Sequence, residues 1–149
     1  MARLLIVAHA PLASSLQAVA RHVYPDCGAQ LAAIDVAPNA RVDDVVDGIR
    51  QALAAAAGQE MLILADVFGA TPCNAALAAA DGVRSRVVAG VNVPMLWRTL
   101  CYCELPLGEL VDRALAGASQ GVMHVAVPRR QNQPEPGASH DPTQHHHHQ

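Results

Sequence analysis

His9 closes the apolar run Leu4-Leu5-Ile6-Val7-Ala8, and a histidine at that place has a definite chemical use. A neutral imidazole attacks phosphorus through one ring nitrogen when the other is held as a hydrogen-bond donor. Asp66, which ends a second apolar run, Glu60 to Asp66, is the acceptor expected to hold it. An Asp–His pair fixes the tautomer and stabilises the positive charge that develops as the ring reacts. The phosphoryl oxygens then need donors of their own. Thr71-Pro72 reads as a helix start, a hydroxyl cap followed by proline at the first helical position, with free backbone amides and the positive end of a helix dipole. Gly69 and Ala70 present little side-chain bulk there. Positioning and charge stabilisation are what in-line phosphoryl transfer requires. Taken singly, His9 is a strand-end histidine, Asp66 a loop carboxylate and Thr71-Pro72 an ordinary helix start. Their shared placement is what makes them candidates.

The elements around these residues alternate. Arg3 to Ala8 reads as a strand buried on both faces, followed by a helical stripe from Leu12 to Tyr24. Pro25-Asp26-Cys27-Gly28 breaks that helix, and Leu31 to Val36 is a second strand. Val42 to Ala57 carries apolar residues on one face and Asp43, Asp44, Asp47 and Arg50 on the other. Glu60 to Asp66 is the third strand, and an Ala-rich helix runs on through Ala80. Arg86 to Val91 is a fourth strand, helices follow at Met95 to Cys103 and Leu107 to Ala118, and Gly121 to Val127 is a last strand. Such alternation predicts an α/β fold, a mostly parallel, doubly wound sheet with helices on both faces. In such a sheet the crevice lies outside the carboxyl ends of the strands. Ala8 to Ala10, Asp35, Asp66 to Asn74 and Gly90 to Pro94 all fall there. His22, within a helix, and His124, in the last strand, read as structural.

Composition narrows the function. Apolar residues make up 52% and aromatic residues 3%, so the core must be built of Ala, Val, Leu and Ile. Net charge is -3 and all ten basic residues are arginine, without a basic run interleaved with aromatics. A nucleic-acid footprint is absent, and no apolar stretch approaches the roughly 20 residues of a membrane span. Cys27, Cys73, Cys101 and Cys103 match neither zinc-knuckle nor Cys-x-x-Cys spacing and read as free, mostly buried thiols of a cytoplasmic protein. From Pro128 the chain turns polar and proline-rich, and residues 128–149 are expected to be a disordered tail. His145 to His148 can chelate metal weakly, but no fixed metal site is expected without a fold around them. No cofactor is expected either.

Three blocks then carry a resemblance: Ile6-Val7-Ala8-His9-Ala10-Pro11-Leu12-Ala13, Leu64-Ala65-Asp66-Val67-Phe68-Gly69-Ala70-Thr71-Pro72-Cys73-Asn74-Ala75-Ala76, and Ala89-Gly90-Val91-Asn92-Val93-Pro94-Met95-Leu96. In this order and spacing the chain resembles the enzyme IIA component of the mannose family of the bacterial sugar phosphotransferase system (PTS), over residues 2–127, taken as one domain of residues 1–127. The resemblance implies that His9 is the phosphorylated residue and Asp66 the one that orients it. Thr71 stands where the family usually has Ser and keeps the hydroxyl, so Thr71, Ala70 and Gly69 become the expected phosphate-binding loop. Ala70 and Cys73 depart from the family pattern, in which Gly and Phe are common. Ala70 must therefore take an ordinary backbone conformation, and Cys73 removes apolar bulk at a place expected to face a partner. Asn74, Asn92, Pro94 and Met95 are expected partner contacts. The resemblance further implies the phosphocarrier HPr as donor, a IIB component as acceptor, and a homodimer in which the last, antiparallel strand, Gly121 to Val127, is exchanged between subunits.

Other functions fit parts of the pattern. A regulatory phosphoprotein that senses PTS status without transporting sugar needs the same His9. A subunit serving a dihydroxyacetone kinase has a similar first domain, but the Thr-Pro-x-Asn-Ala loop and the Asn-Val-Pro-Met-Leu block favour the mannose type. A flavodoxin-like cofactor binder lacks support, because His9-Ala10-Pro11 stands where a Gly-rich turn is needed.

Overall fold

In the computed structural model, residues 1–129 are described, in the order β1 (Arg3–His9), α1 (Leu12–Val23), α2 (Pro25–Gly28), β2 (Leu31–Val36), α3 (Val42–Ala55), β3 (Met61–Ala65), α4 (Thr71–Ala79), β4 (Ser85–Ala89), α5 (Val93–Cys101) and α6 (Leu107–Gln120). The strands form one sheet in the order β2-β1-β3-β4, every neighbouring pair parallel. The two central strands are those whose apolar runs lack alternation. Leu5, Ile6, Val7 and Ala8 of β1 and Leu62 to Ala65 of β3 are fully buried, as strands covered on both faces must be.

Alternate residues of those strands feed two cores. Leu4, Ile6, Leu62 and Leu64 pack with Leu16 and Ala20 of α1, Leu96 and Leu100 of α5, and Leu110 and Ala114 of α6. Leu5, Val7 and Ile63 pack on the other face with Val45, Val46 and Ile49 of α3 and Ala75 and Ala76 of α4. The doubly wound expectation is met. Pro25 to Gly28, read from sequence as a break, is instead the short helix α2. It sits so tightly on α1 that a Cβ on Gly28 would lie 3.0 Å from the Ala20 carbonyl oxygen.

The expected last strand is not there. Among the described residues the sheet has four strands and no antiparallel pair, and after α6 the chain runs on without regular structure. Val122, Met123, Val125 and Val127 are 68–88% exposed, and His124 is exposed with them. An apolar, branched sequence fits a strand but does not make one: this segment pairs with neither edge strand, β2 or β4, of its own chain. The expected tail lies outside the described residues from position 130 on. No described helix is long and apolar enough to cross a membrane.

The turn from α4 into β4 supplies a pH-sensitive element. The Asp81 carboxylate accepts hydrogen bonds from the backbone amides of Ser85, Val83 and Arg84 at 2.8–2.9 Å and from the Ser85 hydroxyl at 3.0 Å. These donors, the Ser85 amide foremost, hold its pKa down at about 2. A carboxylate depressed in the folded state stabilises the fold above its unfolded pKa of about 3.9, and that contribution is lost as pH falls through the folded value. Urea unfolding of the wild type should therefore weaken more steeply between about pH 4 and pH 2 than that of Asp81→Asn, which has no proton to take up there. Parallel profiles for the two proteins would contradict this role for Asp81.

Candidate functional site

β1 and β3 are neighbours, but the chain leaves them toward opposite sides of the sheet, β1 to β2 and β3 to β4. That is the switch point, and the crevice of a doubly wound sheet opens outside the carboxyl ends of those two strands. His9 is the last residue of β1, and Asp66 follows β3 directly. The His9 ring Nδ1 lies 2.6 Å from Asp66 Oδ2, and the same oxygen accepts the His9 backbone amide at 2.9 Å. The other carboxylate oxygen accepts the amide of Val67 at 2.9 Å. Burial pushes the Asp66 carboxyl up, but the amide and ring donors of His9 and the amide of Val67 together outweigh it, and its pKa lies below the usual value. An ionised carboxylate only accepts, so Nδ1 carries a proton, and in the neutral imidazole the lone pair is then on Nε2. The pair is asymmetric in exposure: the His9 side chain is 50% exposed, that of Asp66 11%. The carboxylate is shielded and the imidazole is open.

Two helix amino ends flank this pair, and they differ. The amide of Ser14 in the first turn of α1 donates to Asp35 Oδ1 of β2 at 3.0 Å. Hydrogen bonds from the Ser14 side chain and amide, with the Ala13 amide, lower the Asp35 pKa. Asp35 thus caps α1 from the neighbouring strand and already places a negative charge at that end. Nothing in the sequence marks a cap 21 residues after the amide that it accepts; the only signal was a carboxylate at the end of a strand. The amino end of α4 has no side-chain cap. Its first amides have no intrahelical partner, except that Pro72 has none to offer.

The Thr71 expectation needs correction in detail. Ala70 is the N-cap residue and Thr71 the first helical residue, with its hydroxyl making no cap bond. The reason is the backbone: Ala70 is extended, at φ -100°, and its carbonyl accepts the first helical bond from Asn74. Ala70 accordingly has the ordinary conformation that a residue with a Cβ demands. Gly69, at φ +87°, takes the left-handed one, and a Cβ there would meet no atom within 4 Å, so conformation and not space calls for glycine. The exposed Asn74 side chain reaches back to the Gly69 carbonyl at 3.5 Å.

Of the expected partner contacts, Met95 is corrected: it is 1% exposed and belongs to the core beneath α5. Cys73 is likewise buried, so its small side chain fills the interior of α4 and removes nothing from the surface. Asn92 is half-buried and caps α5, accepting the Met95 amide at 2.9 Å while its own amide group donates to the Ala118 carbonyl at 3.3 Å. Pro94 is half-buried against the end of α6, where a Cβ on Gly121 would collide with it at 2.0 Å. Sequence reasoning overlooked the side chains that do stand out beside Asp66: Val67 is 49% exposed and Phe68, the one phenylalanine of the chain, 78%. A lone aromatic in a loop was the available signal.

Residues 3–115 match the family described as the PTS system fructose IIA component. The chain belongs to that family. Comparison with curated proteins returns no match. Among solved structures, the mannose/sorbose-specific IIA subunit of the phosphotransferase system from Enterococcus faecalis superposes with a TM-score of 0.79 at 23% identity, over 87% of this chain and 98% of that one. The phosphotransferase component EIIA from Streptococcus agalactiae gives 0.74 at 21% identity, over 83% and 97%. A PTS IIA protein associated with the fucose utilization operon of Streptococcus pneumoniae gives 0.66 at 20% identity, over 83% and 96%. At such identities the superpositions establish the fold, which this PTS IIA protein shares with each over 83–87% of its own length.

Proposed function

We propose that this PTS IIA protein is a cytoplasmic phosphoryl carrier that takes phosphate from phospho-HPr on His9 Nε2 and passes it to a IIB component. The observation that carries the reading is the 2.6 Å contact between His9 Nδ1 and Asp66, which selects the tautomer of the neutral ring whose lone pair is on the other nitrogen of this half-exposed side chain. In the first step the Nε2 lone pair attacks phosphorus, a new N–P bond forms, and the donor's N–P bond breaks with its electron pair returning to the donor imidazole. The phosphorylated His9 ring keeps its proton on Nδ1 and is cationic, and the Asp66 carboxylate offsets that charge. The second step is the same displacement, with the acceptor as nucleophile and His9 as leaving group. The uncapped first turn of α4, with Thr71, Ala70 and Gly69, lies just beyond Asp66 and is assigned to the phosphoryl oxygens.

An open imidazole suits a protein substrate. The cavity lined by Arg3, Leu4 and Met61 lies at the amino ends of β1 and β3, the other end of the sheet from His9. Exposed Val67 and Phe68, with Asn74, are assigned to the face that meets HPr and IIB; Asn92 and Pro94 lie at the amino end of α5, at the same end of the sheet. The homodimer implied by the family is also proposed: β4 pairs on one side only, and the exposed apolar segment 122–127 has the composition to pair with a partner subunit's edge. Sedimentation of the chain truncated after Gly121 should then shift from dimer to monomer.

The decisive experiment is incubation with enzyme I, HPr and labelled phosphoenolpyruvate. Acid-labile, alkali-stable label on the peptide containing His9 is the expected result, and label confined to other peptides would overturn the assignment. A purely regulatory role is the second reading. A sigma-54 interaction domain protein from Enterococcus faecalis superposes with a TM-score of 0.69 at 11% identity, so the fold is not reserved for proteins described as sugar-system components. Transfer of label onward to a IIB protein separates the two.

A further inference from the structure

We propose that Cys27 and Cys103 form a redox-modification site, a dithiol that a low-molecular-weight disulfide closes to an intramolecular bond. The two residues are 76 positions apart, yet their sulfurs lie 2.7 Å from each other. The fold enforces the meeting from both sides. Cys27 belongs to α2, which the close approach of Gly28 to Ala20 and Arg21 clamps against the end of α1. Cys103 follows α5 in the turn before α6 and is 5% exposed. A covalent bond of about 2.05 Å needs only a small further approach.

The two thiols have different surroundings. Cys27 is half-buried, whereas Cys103 is buried. Burial first, then the Cys27 thiol and the charge of Glu104, push the Cys103 thiol up to about 12, and the less buried Cys27 is assigned the first attack. The order follows. The Cys27 thiolate attacks one sulfur of the reagent disulfide and expels a thiolate. Cys103 then gives its proton to solvent and attacks Cys27 Sγ, expelling the second thiolate. Two protein thiols and one disulfide become one protein disulfide and two small thiols, with two electrons passing to the reagent. The third thiol nearby is engaged elsewhere: exposed Cys101 donates to the Tyr24 hydroxyl at 3.1 Å. The pair sits where α1 and α5 end, at the end of the sheet away from His9, so this inference is independent of the proposed phosphoryl transfer.

The test treats the full-length chain with 2-hydroxyethyl disulfide, alkylates remaining thiols and maps the product by mass spectrometry. The expected product is lighter by about 2 Da and retains two alkylatable cysteines. In a Cys101→Ser background, trypsin should release residues 22–41 linked to residues 99–113, a link that can then join only Cys27 and Cys103. Cys27→Ser should abolish it. The oxidised wild type should melt roughly 5–15 °C higher, reversibly with reductant, because the bond closes a long loop of the unfolded chain. Four alkylatable thiols, a persistent mixed disulfide on Cys27, or a bond to Cys101 would each overturn the proposal.

Discussion

His9→Ala is expected to take up no label from phospho-HPr while remaining folded. The site is built around this ring, and no other described histidine pairs with a carboxylate. The fold should tolerate the loss. The side chain is half exposed, and Asp66 keeps the amides of His9 and Val67 as donors, so a stability change of about 1 kcal/mol or less is expected. Thermal unfolding and the far-ultraviolet spectrum check that part, and acid-labile label per chain checks the chemistry. His22 and His124 are both exposed and serve as internal controls. Wild-type labelling of His9→Ala would mean that one of them, or a residue outside the described region, is the acceptor.

Asp66→Asn should slow transfer by about 10²–10⁴-fold, the range seen when a histidine loses its orienting carboxylate in catalytic triads. The loss follows from the hydrogen bonds. Both oxygens of Asp66 face donors, Oδ2 the ring and amide of His9 and Oδ1 the amide of Val67. A carboxamide has one acceptor, so its NH₂ must meet a donor whichever way it turns. With NH₂ toward His9, the ring is driven to carry its proton on Nε2 and the nucleophilic lone pair is lost. With NH₂ toward Val67, the tautomer survives but no negative charge offsets the phosphorylated ring. Rapid-quench labelling measures the rate, and nitrogen shifts of the His9 ring report the tautomer. A rate within a few-fold of wild type, with Nδ1 still protonated, would remove Asp66 from the mechanism.

The sequence by itself determined the element types and the candidate pair. Leu4 to Ala8 and Met61 to Ala65 are unbroken apolar runs, and only strands buried on both faces use such runs at that length. Helical stripes in α1, α3 and α6 were legible for the same reason: periodicity is written in residues a few places apart. Ala70 was legible too, since its Cβ bars the positive-φ backbone, whereas the left-handed backbone of Gly69 came from the structure. Segment 121–127 forms no strand within its own chain, because strand composition is local whereas a strand's hydrogen bonds depend on an edge elsewhere. Met95 and Cys73 were placed at the surface because a motif shows neighbours in sequence, not the helix face that turns inward. Strand order, β2-β1-β3-β4, came only from the packing of both sheet faces at once. That order sets His9 beside Asp66 across 57 residues, lets Asp35 occupy the amino end of α1, and leaves the end of α4 uncapped. Such relations join residues distant in the chain, and their energies exist only once the helices have closed over the sheet.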